Sequence, residues 1–473
     1  MENKKYSFLS KNIFLFALSG VIPKLLAFIL VPIYTSKLST YDYGVFDLLT
    51  TTVYLLVPIF TLTIRDAVMR YVFDDSIEKR HVFSTFWWII NIGTTLIIAG
   101  IMLLVLLGIL NIQLPYLCFL VIFFWSNSIS EAVTRFCRGI DKVNTIVISS
   151  IIHSVVIFSA NIILLVIFNL GIYGYLIANV SGYLVSIAYM FFSAKLYKYI
   201  TLKVPRDIIN KMVRFSFPMI FSALAWWINS GADRYLLSWF AGVSVSGIYA
   251  ISGKIPSILA MFQNIFQQAW SISAIKNFER NDTDGFIGNI FKLINFTMAI
   301  ACSTIIILNI PITQILVEGD FFESWKYVPL LLISTFFNAI ALYFDSIFLA
   351  VKDTKLISTA TIIGAITNII LNVILIPHFA AYGAAFATFF GYCVALTYRI
   401  MRIKKYILIN VNWKREIFTW FLLIIQTALA IWGLKFTIIQ CIILITLLLS
   451  YKKEVKTVWN MGLNKIKNRG EQS

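Results

Sequence analysis

Charge is scarce in this chain. Asp, Glu, Lys and Arg make up 13% of its 473 residues, whereas a soluble globular protein carries roughly 25%. A water-exposed surface of this size cannot be covered at half the usual charge, so a soluble enzyme and a disordered chain are both excluded. Histidine is rarer still, with three residues. His81, His153 and His378 are too far apart in sequence to form a recognisable cluster. The five cysteines, Cys118, Cys137, Cys302, Cys393 and Cys441, are scattered in or beside apolar segments. None has the spacing of a metal site, a redox pair or a disulfide framework, and each reads as a small packing hydrophobe. No metal and no organic cofactor is implied.

What is present is apolar. Hydrophobic residues make up 59% of the chain and aromatics 16%, and the mean hydropathy is +0.85. Most of this protein is therefore solvated by lipid. The first residues have the basic start of a signal peptide, but the apolar run behind them is long enough to span a membrane. It also lacks a small-x-small cleavage site, so it reads as a retained helix.

A spanning helix needs about 20 mostly apolar residues. That ruler predicts an all-α polytopic membrane protein with about fourteen transmembrane helices. They lie near 12–34, 44–64, 82–109, 115–134, 144–168, 172–194, 213–240, 247–275, 286–310, 328–350, 356–377, 381–401, 417–434 and 436–450. With the N-terminus inside, 32 of the 39 Lys and Arg residues fall in inner segments and three in outer loops. That asymmetry is the positive-inside signature and places both termini in the cytoplasm. The formal charge of +17 is thus mostly a topological signal, and no nucleic-acid partner follows from it.

The two halves repeat. At an offset of 209, residues 144–189 lie over 353–398 with 12 identities in 46 positions. These include Tyr173-Gly174 over Tyr382-Gly383 and Gly182-Tyr183 over Gly391-Tyr392. The spacing from Lys11 to Gly44 equals that from Arg214 to Gly247. Helices 1–6 and 7–12 therefore read as parallel repeats. The expected division is 1–200, 201–405 and a third region, 406–473, of two appended helices and a basic cytoplasmic tail. Pro23, Pro32, Pro58, Pro218 and Pro256 fall well inside helices 1, 2, 7 and 8, which are thus expected to bend.

Four cations, Lys24, Arg234, Lys254 and Lys292, remain within predicted spans, where each costs about 2.5–3.5 kcal/mol to insert. Lys292 is near an inner helix end and snorkels. Lys24 lies near the midplane of helix 1, and Arg234 and Lys254 sit at comparable depth on helices 7 and 8. Such cations would hold a phosphate or a carboxylate. The plainer alternative is a structural pair of Asp233 with Arg234 or Lys254, which still leaves cations over. On helix 8, Lys254, Ser257, Asn264, Gln268 and Ser271 share an arc of about 100°, with Gln263 and Gln267 beside it. These side chains would suit a phosphorylated sugar, or they bridge helices. Trp226, Trp227 and Trp270 are candidates for stacking on sugar rings, or for packing. Among the acids, Asp47 is near the rim of helix 2, and Glu131 has Arg135 at i+4 for a local pair. Asp345 has no cation within a turn and is the first candidate for a proton or cation site, followed by Asp233 and Asp47.

Three motifs carry no chemistry. Gly247 to Gly253-Lys254 resembles a phosphate-binding loop but has five intervening residues and Ile255 where Ser or Thr is required. Asp282-Thr283-Asp284 has the form of a sugar-nucleotide motif in an inner loop too short for a transferase, and is expected to be a solvated turn. The longest outer connection, 310–328, holds Glu318, Asp320 and Glu323 but is too short for a polymerase or glycosyltransferase domain.

The stretch Phe16-Ala-Leu-Ser-Gly, Lys24-Leu-Leu, Pro32-Ile-Tyr-Thr35 and Leu38-Ser-Thr-Tyr-Asp-Tyr-Gly44 resembles bacterial polysaccharide flippases of the Wzx type. So does Phe215-Ser-Phe-Pro218 leading to Asp233-Arg234 and Ser246-Gly247-Ile-Tyr249. This family belongs to the multidrug/oligosaccharidyl-lipid/polysaccharide exporter superfamily. The resemblance implies a flippase, not an enzyme, in the bacterial cytoplasmic membrane. It would move undecaprenyl-pyrophosphate-linked oligosaccharide repeat units to the outer leaflet for O-antigen, capsule or another surface polysaccharide. It also implies a cationic cavity lined by Lys24, Arg234 and Lys254, coupling to H+ or Na+, and a polysaccharide polymerase and chain-length regulator as partners. A lipid II flippase and a multidrug/cation antiporter of the same superfamily are the alternatives.

Overall fold

The computed structural model describes residues 24–454, leaving out 75, 277, 279–281, 283–284, 408, 410 and 453 and the side chains of 269, 272 and 276. Lys4, Lys5, Lys11, Pro23, Thr283, Asp284 and the basic tail beyond residue 454 lie outside the described residues. Within them the chain is helical. A first helix, α1, covers 24–37. It is followed by α2 (Thr40–Phe60), α3 (Ile64–Tyr71), α4 (Lys79–Leu106), α5 (Leu114–Gly139), α6 (Val143–Asn161), α7 (Gly171–Ser193), α8 (Arg206–Ser216) and α9 (Met219–Ala241). Then come α10 (Val243–Ser252), α11 (Lys254–Lys276), α12 (Phe286–Ile307), α13 (Asn309–Leu316), α14 (Val328–Ala350), α15 (Thr354–Ile403), α16 (Trp413–Ala430) and α17 (Thr437–Ser450).

Among the described residues, eleven helices are long and apolar enough to cross a membrane. They differ from the fourteen expected segments at three places. The first expected span is described only from residue 24. The segments 356–377 and 381–401 fall on one element, α15, whose 50 residues would be about 75 Å long if straight. It is not straight, because Ala380 is non-helical at φ 46°, ψ −126° just after Pro377. Gly383 follows, where a Cβ would stand 2.5 Å from the Leu375 carbonyl oxygen. The third difference is α16, which opens on Lys414, Arg415 and Glu416 and so falls outside the apolar set.

Two of the four helices expected to bend are broken near their prolines, whereas Pro32 and Pro58 lie inside the continuous helices α1 and α2. The segment 206–241 divides at Phe217–Pro218, and 243–276 divides at Gly253, three residues before Pro256. In both, the proline's missing N–H removes a ladder bond.

The chain forms two compact units, one of residues 1–231 with 316–319, the other of 232–315 with 320–473. The division falls within α9. In the first unit α5 is central and packs against α2, α3, α4 and α7. Its core gathers Phe83, Phe86, Phe136 and Met190 with Leu196 of the segment after α7. In the second unit α14 is the most enclosed helix, with 83% of its apolar window buried among α11, α12, α15 and α16.

The repeated glycines do the same work in each unit. A Cβ on Gly182 would meet the Ile157 side chain at 2.4 Å, and one on Gly391 would meet the Gly364 carbonyl oxygen at 3.1 Å. Each lets consecutive spans cross at close range, as small residues do in membranes. The Gly-Tyr repeat seen in the sequence is therefore a packing signature.

Candidate functional site

Helix α11 carries the polar stripe, and its neighbour explains the orientation. On one side Gln267 donates through Nε2 to the Leu342 carbonyl at 3.0 Å and to Ser346 Oγ at 2.9 Å. Trp270 donates from Nε1 to the Tyr343 carbonyl at 3.0 Å and stacks on the Tyr343 ring at 4.9 Å. These contacts dock α11 on α14, and Gln263, one turn before Gln267, is buried. The adjoining edge keeps Ser257, Asn264 and Gln268 exposed and Ser271 and Lys254 half-buried. The expected face thus divides by function: the flanking Gln263 and Gln267 point into the second unit, while Asn264 and Gln268 remain free of it. Trp270 is a packing residue. Trp227 donates to the Thr51 carbonyl at 2.8 Å in the first unit, and Trp226 is 64% exposed.

Asp233 and Arg234 sit together on α9. The buried Asp233 carboxylate accepts from the Arg234 backbone N–H at 2.9 Å and from the Tyr249 hydroxyl of α10 at 3.1 Å. Arg234 Nη1 lies 3.5 Å from Asp233 Oδ1, with the Arg234 side chain 22% exposed. Ser246 closes the corner by donating to the Arg234 carbonyl at 3.3 Å. Tyr249 is the neutral donor that the sequence reading did not supply. It satisfies the carboxylate without neutralising it and ties α10 to α9. Lys254 begins α11 directly after the Gly253 break. Lys24 is exposed at the first described position of α1, and Asp47 is half-buried on α2.

Asp345 departs from its expected setting. It has no cation on its own helix, yet Arg399 of α15 reaches it with both arms, Nε to Oδ1 at 2.6 Å and Nη2 to Oδ2 at 3.0 Å. Arg399 also donates to Thr361 Oγ1 at 3.2 Å and to the Ala395 carbonyl at 3.2 Å. Both side chains are buried. Arg399 therefore does not face the cytoplasm as the charge count placed it, and Asp345 is half of a buried bidentate pair. The lone-acid premise for an ion site at Asp345 is corrected accordingly. Glu131 also differs. Its partner is Arg65 of α3, while Arg135 pairs with Asp66 at 2.9 Å. Two adjacent charges on α3 thus cross to two charges one turn apart on α5, replacing the expected local pair. Asp282 is buried and accepts from the backbone N–H groups of Ile287 and Gly288 at 2.9 and 2.8 Å. It caps α12, so the solvated turn expected there is a buried helix cap.

One cluster gave no signal in the sequence. Glu416, fully buried on α16, accepts from Arg415 Nε and Nη2 at 3.1 and 2.9 Å, and from Asn295 of α12 and the Tyr451 hydroxyl. Arg415 also reaches Glu454 at 2.8 Å and lies over the Tyr451 ring at 4.2 Å. This network fastens the C-terminal helices to α12. Glu416 was invisible because two of its partners are uncharged and far away in sequence. Among the described residues, no group of three or more His, Cys, Asp and Glu could hold a metal ion.

The fold is shared with solved transporters. It resembles a structure titled lipid II flippase MurJ, inward closed conformation, at a TM-score of 0.67 and 15% identity, covering 95% of this chain and 100% of that one. An inward-facing multidrug resistance MATE family transporter of the MOP superfamily aligns at 0.63 and 13% identity, covering 82% of this chain and 98% of that one. Its outward-facing counterpart aligns at 0.55 and 13% identity, covering 83% and 93%. A search of curated proteins finds no match. Residues 9–271, more than half of the sequence, match the family described as polysaccharide biosynthesis protein, and the chain belongs to that family.

Proposed function

We propose that this protein is a flippase that carries undecaprenyl-pyrophosphate-linked oligosaccharide repeat units across the cytoplasmic membrane for surface polysaccharide synthesis. The observation that carries the reading is the divided face of α11. Lys254, Asn264 and Gln268 occupy the side that the α14 contacts leave unused, within a segment apolar enough to span. Hydrogen-bonding groups in line with a cation match a pyrophosphate followed by sugars, and they replace the hydration that such an anion loses in hydrocarbon. Arg234, held by Asp233, supplies further positive charge in the same unit, and Lys24 is the cation of the reading that lies on the first unit.

The acids weigh against a cation exporter. Asp345 is engaged by Arg399, and Asp233 by Tyr249 and Arg234, so neither is a bare anionic site for an organic cation. The reaction makes and breaks no covalent bond. Its energy would come from a H+ or Na+ gradient, the membrane potential or consumption of the flipped product, and for an ion gradient Asp233 and Asp47 are the coupling candidates that remain. A lipid II flippase is the second reading, favoured by the full-length likeness to the MurJ structure. The two substrates share the pyrophosphate and differ in the glycan.

The test is complementation of a deletion strain. Lys24→Ala, Arg234→Ala and Lys254→Ala should each insert normally, fail to restore surface polymer and let lipid-linked repeat units accumulate on the inner leaflet. Normal polymer in all three variants removes the cationic-site reading. Rescue of a lipid II flippase deletion, with surface polysaccharide unchanged, would favour the second reading.

A further inference from the structure

The segment joining α7 to α9 leaves one span at Ser193 and enters the next at Met219. It carries Lys195, Lys198, Lys203, Arg206, Lys211 and Arg214 against a single acid, Asp207. A linker that only obeys the charge rule for topology can be slack. This one is pinned. Leu196 is fully buried in the first unit's core, and the Tyr199 ring packs on Phe136 at 5.2 Å. The Tyr199 carbonyl accepts from Ser84 Oγ at 2.9 Å, Ser84 Oγ accepts from the Thr201 N–H at 2.8 Å, and the Thr201 carbonyl accepts from Trp88 Nε1 at 3.0 Å. Helix α8 is fixed in turn by Ile208 and Met212, which are buried in that same core.

The outcome is a rigid platform with its cations turned outward. Lys195, Lys198, Lys203, Arg206 and Arg214 are all exposed, and none of the five forms an ion pair among the described residues. Only Lys211 is matched, by Asp207 at 3.7 Å. Between them Leu202 stands 84% exposed beside Lys203, on the loop that Ser84 and Trp88 hold in place. Basic side chains around a projecting leucine, next to two spans, make the combination that binds a charged bilayer surface: headgroup phosphates for the cations, and the acyl boundary for the leucine.

We propose that this platform is a docking surface for anionic phospholipid headgroups, recruiting them around the first unit at the membrane face where α7 ends and α9 begins. The occupant is the bulk anionic lipid of the bilayer. The charges are spread along 20 residues with no enclosing cavity, which suits many exchanging headgroups better than one tightly held phosphate. The inference stands apart from the flippase reading, since none of these residues is assigned to transport.

The test uses the purified full chain in nanodiscs of phosphatidylcholine and phosphatidylglycerol. Electron paramagnetic resonance of spin-labelled lipids reads the fraction of each held at the protein surface. In the variant K195Q/K198Q/K203Q/R206Q/R214Q the preference for phosphatidylglycerol should fall at least about fivefold, which is what one near-surface basic residue contributes on its own. Salt should weaken the wild-type preference, because exposed charges are screened beyond a Debye length of about 8 Å at 0.15 M. The charge-keeping variant K195R/K198R/K203R/R206K/R214K should retain it. An unchanged preference in the glutamine variant overturns the proposal. So does displacement of phosphatidylglycerol by trace undecaprenyl phosphate, which would make the platform a substrate-capture site.

Discussion

Replacing Asp345 with alanine would leave the Arg399 guanidinium buried with only Thr361 and the Ala395 carbonyl to receive its protons. Asp345 lies five residues before the end of α14, and Arg399 four before the end of α15, which puts both about 6–8 Å inside their helices. Neither can relax into water by a small rotation, since both side chains are under a tenth exposed. Breaking a buried pair from one side costs about 3–5 kcal/mol, and Asp345→Ala and Arg399→Ala should each lose that much. The paired change Asp345→Leu with Arg399→Met removes both charges at similar volume and should return to within about 1–2 kcal/mol of wild type, because the desolvation cost of each ion disappears with it. Thermal unfolding of the wild type, the single variants Asp345→Leu and Arg399→Met, which strand the same partners as the alanine variants, and the double variant, followed by size-exclusion fluorescence, gives the four values needed for a double-mutant cycle. Additive losses would refute the pairing. A doubly substituted protein that is stable yet makes no surface polymer would refute the structural assignment and return Asp345 to the ion-coupling role.

The C-terminal network offers a second check. Glu416→Ala strands Arg415, Asn295 and Tyr451 at once and should cost about 3–5 kcal/mol, seen as early protease cleavage between α15 and α17. Tyr249→Phe removes one donor to the buried Asp233 carboxylate and should cost about 1.5–3 kcal/mol by the same thermal assay. Gly93→Ala would place a Cβ 2.2 Å from the Phe60 carbonyl oxygen, forcing α2 from α4 at about 1–3 kcal/mol. Gly100→Ala on the same helix meets nothing within 4 Å and should be neutral or slightly stabilising, so equal losses at the two sites would sink the close-approach argument.

Properties set by one helix alone were legible in the sequence, and properties that need two were not. Apolar run length located the spans because lipid solvation acts on each helix separately. The polar arc of α11 was legible because a period of 3.6 fixes which side chains share a face, but the period does not say which edge of the arc meets a neighbour. Gln267 and Asn264 differ only in that α14 stands beside one of them. Charge pairing failed for the same reason. The i+4 rule matches Glu131 to Arg135 on its own helix, while the structure pairs it with Arg65, 66 positions away. By that rule Asp345 has no partner, yet it meets Arg399 across 54 positions. The charge count errs the opposite way: it assigns an arginine near a helix end to the cytoplasm, although a carboxylate on the adjoining helix keeps it buried. A basic residue one turn from a helix end can snorkel outward or pair inward, and the choice depends on an acid at equal depth on a neighbouring span. Applied across the chain, that criterion separates Arg399, which has Asp345 at matching depth, from Arg402, which is exposed one turn further on.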